Sequence, residues 1–83
     1  MTDPLYEPRV RWLCRRGMKE VEGMLFPFFE NHYRGMEANE QAMFVQLLDA
    51  SDPDLYAWLT QQAEPADPHL RAMIGRILSH QHR

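Results

Sequence analysis

The sequence predicts an all-α fold, a compact bundle of five short helices. Apolar residues recur three and four positions apart along most of the chain, which is the spacing of one helix face. No segment shows the alternation of apolar and polar residues that is typical of a half-buried strand. Pairs at Asp52-Pro53 and Asp67-Pro68 indicate two helix starts, because aspartate caps a helix and proline fits its first turn.

The first two predicted helices meet at Gly17. The first helix has Pro8 in its first turn and ends near Arg16. Its apolar face comprises Tyr6, Val10, Leu13, Cys14 and Gly17. Gly17 follows the last turn, where a left-handed residue often ends a helix, so we expect a positive φ there. The second helix follows at once, and Phe28 and Phe29 supply the largest apolar area of the chain.

Three further helices complete the predicted bundle. A polar loop, residues 31–35, precedes a third helix that Asn39 caps, and a fourth helix begins at Ser51. The fifth helix starts at Pro68, and the tail, residues 79–83, is expected to fray. The predicted core comprises Val21, Leu25, Phe28, Phe44, Leu47, Leu55, Trp58, Leu70, Ile74 and Ile77.

Length and composition describe one small globular domain, residues 1–83. Hydrophobic residues make up 45% of the chain and charged residues 25%, which is ordinary for a folded protein, and so short a chain buries one thin core. Nine basic and twelve acidic residues give a net charge of −3. That balance argues against general nucleic-acid binding, which depends on a positive surface.

The expected location is the bacterial cytoplasm. The N-terminus resembles neither a signal peptide nor a transit peptide. No apolar run approaches the roughly 20 residues that cross a bilayer, so we expect no direct membrane insertion. The single cysteine, Cys14, cannot form an intramolecular disulfide, which favours a reducing compartment.

A basic run is the most unusual feature of the sequence. Five cations fall within eleven residues, while the rest of the chain is acidic: Arg9, Arg11, Arg15, Arg16 and Lys19. A local basic face on an acidic protein is typical of a surface for one specific partner. The run contains Trp12 and ends beside Glu20.

The segment Arg16-Gly17-Met18-Lys19-Glu20 matches the RGxxE motif of the FAD assembly factors, the bacterial flavinylation factors of succinate dehydrogenase and fumarate reductase. Other landmarks occur in the same order over nearly the whole chain. They are Trp12-Leu13-Cys14-Arg15, Pro27-Phe28-Phe29-Glu30, Tyr33, Phe44, Leu47-Leu48, Asp52-Pro53-Asp54-Leu55, Trp58-Leu59 and Pro65-Ala66-Asp67. The chain therefore resembles this family.

The resemblance implies a helical assembly factor without catalytic activity of its own. Such a factor binds the flavoprotein subunit of succinate dehydrogenase or fumarate reductase and promotes covalent attachment of FAD. The FAD is carried by the partner, so we expect no tightly bound cofactor here. The predicted partner-binding residues are Arg16, Gly17 and Glu20 of the motif, with Arg15 and Trp12 beside them. No role is assigned to Glu22, where the family often has aspartate.

Other interpretations of these residues stay open at this point. Arg16 and Glu20 flank a helix junction, where their charges could serve only as helix caps. The same basic face suits a small regulatory or adaptor module that binds a different acidic protein. Trp12 within the basic run could clamp single-stranded nucleic acid. A small enzyme that uses Cys14 or Glu20 directly is a further class.

Cys14 has two opposing interpretations. Neighbouring arginines lower the pKa of a thiol and favour a nucleophile. The position of Cys14 on the apolar helix face favours a buried and unreactive thiol, which is the expectation adopted here. The four histidines do not show the spacing of a metal site, and no cysteine cluster accompanies them.

Overall fold

Five α-helices form the protein in this computed structural model, which describes residues 3–81. The helices are α1 (Glu7–Leu13), α2 (Lys19–His32), α3 (Ala38–Leu47), α4 (Asp52–Leu59) and α5 (Pro68–Gln81). A single 3₁₀ turn, Tyr33–Gly35, follows α2 where the sequence predicted only a loop. No strand occurs within the described residues, so the predicted all-α class is confirmed.

The helix starts follow the capping residues of the sequence, with one correction. Ser51 caps α4 as predicted, since its hydroxyl oxygen accepts a hydrogen bond from the backbone N–H of Asp54 at 3.3 Å. The cap of α3 is Glu37, and the prediction of Asn39 was wrong. The Glu37 backbone N–H donates to the Glu40 carboxylate at 3.0 Å, which is the reciprocal half of a capping box.

The junction between α1 and α2 differs from the prediction. The first helix ends at Leu13, three residues earlier than expected, and Cys14 retains a right-handed conformation. Gly17 does not adopt a positive φ, and neither does any other glycine that the structure describes. A short non-helical segment, residues 15–18, joins the two helices, and side-chain carboxylates accept hydrogen bonds from its backbone at Arg16 and Gly17.

The core lies around α2, which packs against α4 and α5. Phe28 and Phe29 are both buried, and their ring centroids lie 5.8 and 6.3 Å from that of Phe44 on α3. Eight of the ten predicted core residues are buried. Trp58 and Leu70 are only partly buried, since they pack against the core from its edge. The radius of gyration, 11.8 Å, is about what a compact domain of this length requires.

The C-terminal end of α5 contacts α2 through two side chains. Nε2 of His32 lies 3.1 Å from Nδ1 of His80, and the Gln81 side-chain amide donates to the backbone carbonyl of Met24 at 3.4 Å. Residues 79–81 are therefore helical, although the sequence predicted fraying from residue 79. The rest of that predicted tail, residues 82–83, lies outside the described residues.

Candidate partner-binding site

Arg16 lies at the centre of the α1–α2 junction and its side chain points into the protein. Only 13% of that side chain is exposed. Its Nε donates to Oδ1 of Asp52 at 2.8 Å. Its two terminal nitrogens donate to the backbone carbonyls of Leu13, Leu48 and Ala50 at 3.0, 3.0 and 2.6 Å. One guanidinium thus joins the end of α1 to the segment between α3 and α4, using the planar fork of donors that only arginine offers.

Two carboxylates hold the backbone of the same junction. The second oxygen of Asp52, Oδ2, accepts a hydrogen bond from the Gly17 N–H at 3.0 Å. The Arg16 guanidinium, and after it this Gly17 N–H, hold the pKa of the Asp52 carboxyl below its usual value. Glu22 accepts a hydrogen bond from the Arg16 N–H from the other side. The Arg16 cluster, defined as Arg16, Asp52 and Glu22, therefore fixes the course of residues 15–18.

Gly17 lies on the surface beside this cluster. A methyl group built there would lie 3.4 Å from Oδ2 of Asp52, which is ordinary van der Waals contact. Its φ is also available to other residues. The fold therefore does not require glycine at this position. What the glycine provides is an exposed backbone without a side chain, which another molecule can approach closely.

The remaining predicted site residues are exposed. Trp12 is 68% exposed, and the Arg15 guanidinium lies 5.5 Å from the centroid of its ring, within the range of a cation–π contact. Glu20 lies exposed in the first turn of α2. Among the described residues it has no hydrogen-bond or ion-pair partner. We call Trp12, Arg15, Gly17 and Glu20 the motif face.

The motif thus divides into two parts. Four of the five predicted residues belong to the motif face, while Arg16 lies beneath it and its side chain makes four hydrogen bonds within the protein. Sequence reasoning missed Asp52 and Glu22. The start of α4 is enough to account for an aspartate at position 52, so nothing in the sequence indicated a second role. Its contact with Arg16, 36 positions earlier, depends on the tertiary structure.

Four cations of the basic run are exposed, namely Arg9, Arg11, Arg15 and Lys19, but one of these is neutralised by an ion pair and the fifth cation is internal. Arg11 pairs with Glu30 of α2 at 3.0 Å and lies 5.4 Å from the ring centroid of Phe29, and Arg16 is internal. Arg15 and Lys19 are the exposed cations of the junction itself. Too few adjacent cations remain to follow a nucleic-acid backbone, which weakens the single-stranded clamp as an interpretation of Trp12.

Cys14 is fully buried in the core. Burial raises the pKa of its thiol to about 12, although Arg16 and Arg11 act in the opposite direction. A thiol in this state is protonated near neutral pH and is a poor nucleophile. This observation supports the packing interpretation of Cys14.

Residues 3–81 contain neither a metal-binding cluster nor a membrane-spanning helix. No cluster of three or more histidine, cysteine, aspartate or glutamate side chains is placed to hold a metal ion there. None of the helices in that range is both long and apolar enough to cross a membrane.

Comparison with known proteins decides the family. The sequence pattern of Sdh5, flavinator of succinate dehydrogenase, matches residues 8–81. The chain belongs to the Sdh5 family. This stretch contains the motif face, the Arg16 cluster and all five helices apart from the first residue of α1.

Curated relatives in the Sdh5 family are similar over most of their length. The FAD assembly factor SdhE of Yersinia pseudotuberculosis is 44% identical over 71 residues, which cover 86% of this chain and 81% of the relative. The FAD assembly factor SdhE of Pseudomonas aeruginosa is 41% identical over 78 residues, covering 94% and 93%. The solution structure of a UPF0350 protein superposes with a TM-score of 0.76 at 37% identity, covering 98% of this chain and 86% of that one.

Proposed function

We propose that this protein is a cytoplasmic FAD assembly factor, which binds the flavoprotein subunit of succinate dehydrogenase and promotes covalent attachment of FAD to it. The flavoprotein subunit of fumarate reductase is the alternative client. The observation that carries the proposal is the family match across residues 8–81. Two FAD assembly factors at 41% and 44% identity support it.

The motif face is the proposed contact with the flavoprotein. Trp12 and Arg15 provide a flat aromatic surface stacked with a cation, a combination that is common at the energetic centre of protein interfaces. Gly17 allows the partner to approach the backbone, and Glu20, which has no partner among residues 3–81, offers its carboxylate for a charge-assisted hydrogen bond. The Arg16 cluster has a different task, since it holds this face in one conformation before the partner arrives.

A preformed face suits an assembly factor that performs no chemistry itself. The flavoprotein supplies both the FAD and the residue that becomes linked to it, and this protein stabilises the conformation in which the two are correctly placed. No tightly bound cofactor is required in the assembly factor under this proposal. Cys14 contributes packing, in keeping with its burial and raised pKa.

The direct test measures covalent flavin on the client. Flavoprotein subunits from cells with and without this chain are separated by denaturing electrophoresis, and flavin fluorescence in the protein band is recorded. We expect the band to lose most of its fluorescence without the chain and to regain it when the chain is restored. Equal fluorescence in both strains would refute the proposed function, while binding of a different acidic protein would favour the adaptor interpretation.

A matched pair of glycine variants tests the contact surface. Gly17→Ala should melt close to the wild type, because the added methyl group meets only ordinary contact, yet it should weaken binding to purified flavoprotein. Gly35→Ala is the control, since Gly35 is also exposed, lacks a positive φ and has open space around its Cα. Equal affinity of the two variants would show that the partner does not approach the backbone at Gly17.

A further inference from the structure

A concave surface lies between the C-terminal part of α4 and one side of α5, and none of its lining residues belongs to the motif face. We call it the α4–α5 groove. Its cavity volume is about 270 Å³. The lining residues are mostly apolar: Trp58, Ala63, Pro65, Ile74, Gly75 and Leu78, with Gln61, Glu64 and Arg71 at the rim. Trp58 lies six residues after Asp52, which places it roughly 9 Å further along α4 from the Arg16 cluster.

The missing side chain at Gly75 leaves this groove open. Gly75 interrupts the lining side of α5, and a Cβ built there would meet nothing within 4 Å. Glycine in a helix interior is destabilising relative to alanine, so the gap has a cost in stability. Gln61 has a φ of 65° because it follows the last turn of α4 in a Schellman motif, in which the Gln62 N–H donates to the Ala57 carbonyl at 2.8 Å and the Gln61 N–H to the Trp58 carbonyl at 3.2 Å. This turn leads the chain out of α4 along the edge of the groove.

The charges at the rim indicate what the groove accepts. Nη1 of Arg71 lies 3.8 Å from Oε1 of Glu64, beyond hydrogen-bond distance. The Glu64 side chain is 78% exposed, whereas that of Arg71, on the helix that forms the floor, is 46% exposed. Arg71 and Glu64 thus form a loose, exposed ion pair without a hydrogen bond, and a carboxylate that approaches at hydrogen-bond distance can replace Glu64 as the partner of the guanidinium. A carboxylate is the group that such a planar fork binds best.

We propose that the α4–α5 groove binds a segment of a partner protein in which one large apolar side chain stands beside an aspartate or glutamate. The apolar side chain fills the cavity against Trp58 and Gly75, and the neighbouring carboxylate pairs with Arg71. The size of the cavity supports a single anchoring side chain. Pockets for drug-sized ligands range from about 300 to 1,000 Å³, so this groove is too small for a whole flavin cofactor.

The test uses defined dipeptides and the full chain. Acetyl-Asp-Trp-amide is titrated into the ¹⁵N-labelled protein, followed by the Trp58 indole signal and the backbone signals of Gly75 and Leu78. We expect saturable shifts confined to the groove, with binding about tenfold weaker for acetyl-Asn-Trp-amide, the loss expected for one charge-assisted contact. Equal or tighter binding of acetyl-Lys-Trp-amide would overturn the assignment of Arg71 as the recognising charge.

Two leucine variants separate the groove from the rest of the surface. Gly75→Leu places a side chain in the cavity and should abolish the shifts. Gly23→Leu is the control, because Gly23 is also an exposed helical glycine with nothing within 4 Å of a built Cβ, and it should bind as the wild type does. Arg71→Gln should reduce the affinity to that of the asparagine peptide.

Three results would overturn the proposal. One is the absence of saturable shifts in the wild type. Another is binding that survives in Gly75→Leu while that variant melts as a folded protein. The third is a change of the same signals with protein concentration alone, which would assign the groove to a second copy of this chain. None of these measurements uses the flavoprotein, so the groove and the proposed assembly function succeed or fail separately.

Discussion

Replacing Arg16 by alanine should destabilise the protein strongly, although Arg16 belongs to a motif that the sequence marks as a binding site. The substitution removes one ionic hydrogen bond to Asp52 and three hydrogen bonds to backbone carbonyls. Each hydrogen bond to a charged group contributes about 1.5–3 kcal/mol, but such values do not add, because water enters the space left behind.

The burial of the pair sets the expected magnitude. Breaking a buried ion pair costs about 3–5 kcal/mol. The Arg16 side chain is 13% exposed and that of Asp52 29%, so the lower end applies, roughly 3 kcal/mol. For a domain of this size each kcal/mol lowers the melting temperature by about 4–8 °C, which gives a fall of about 12–24 °C. Arg16→Lys should lie between, because one ammonium cannot reach all four acceptors.

The adjacent arginine provides the control. Arg15→Ala removes an exposed side chain whose contact is the face of Trp12, so the free energy of unfolding should change by no more than about 0.5 kcal/mol. Thermal melts and urea titrations of Arg16→Ala, Arg15→Ala and the wild type decide the point. If Arg16→Ala melted within a few degrees of Arg15→Ala, the internal role assigned to Arg16 would be wrong.

Three further predictions concern the cluster, the thiol and the core. Because the pKa of Asp52 is lowered by folding, its ionised carboxyl stabilises the fold at pH values above the pKa that it has in the unfolded chain. This stabilisation is lost as the pH falls through the lower pKa of the folded state, so Asp52→Asn should flatten the acid side of a plot of stability against pH. Asp54→Asn is the control on the same helix, and the plot should keep its shape in that variant. Cys14, with a pKa of about 12, should resist iodoacetamide at pH 8 in the folded protein and react in urea; rapid alkylation of the folded chain would contradict its burial. Phe28→Ala should lower the free energy of unfolding by about 3–5 kcal/mol in urea titrations, and an unchanged midpoint would exclude Phe28 from the core.

The parts of the fold that the sequence predicted are those set by local patterns. Apolar spacing located all five helices, and the Ser51 cap of α4 followed from residues within one helical turn. The Asn39 cap failed because Glu37 and Glu40 satisfy the same backbone groups reciprocally. The end of α1 failed because Asp52 and Glu22 bind the backbone of the junction, and these contacts depend on tertiary structure.

The predicted binding residues stay a prediction, and the sequence did not indicate how their side chains are oriented. Four of the five, Trp12, Arg15, Gly17 and Glu20, are exposed, as a binding face requires. Arg16 was expected to reach outward like its neighbour Arg15. Periodicity in the sequence cannot distinguish two adjacent arginines of a non-helical segment, since their directions are set by acceptors on α3 and α4. The pairing of Arg16 with Asp52 therefore required the structure.

The hydrogen-bond acceptors of Arg16 determine whether the five motif residues would keep their conformation if they were grafted into another protein. They come from positions 13, 48, 50 and 52, so the pentapeptide 16–20 carries the donor of this network and none of its acceptors. Grafted between two helices of an unrelated scaffold, the five residues would keep their order, but the arginine would turn towards solvent and Gly17 would lose its fixed backbone. A transplant that retains recognition would have to include the α3–α4 connection together with the motif.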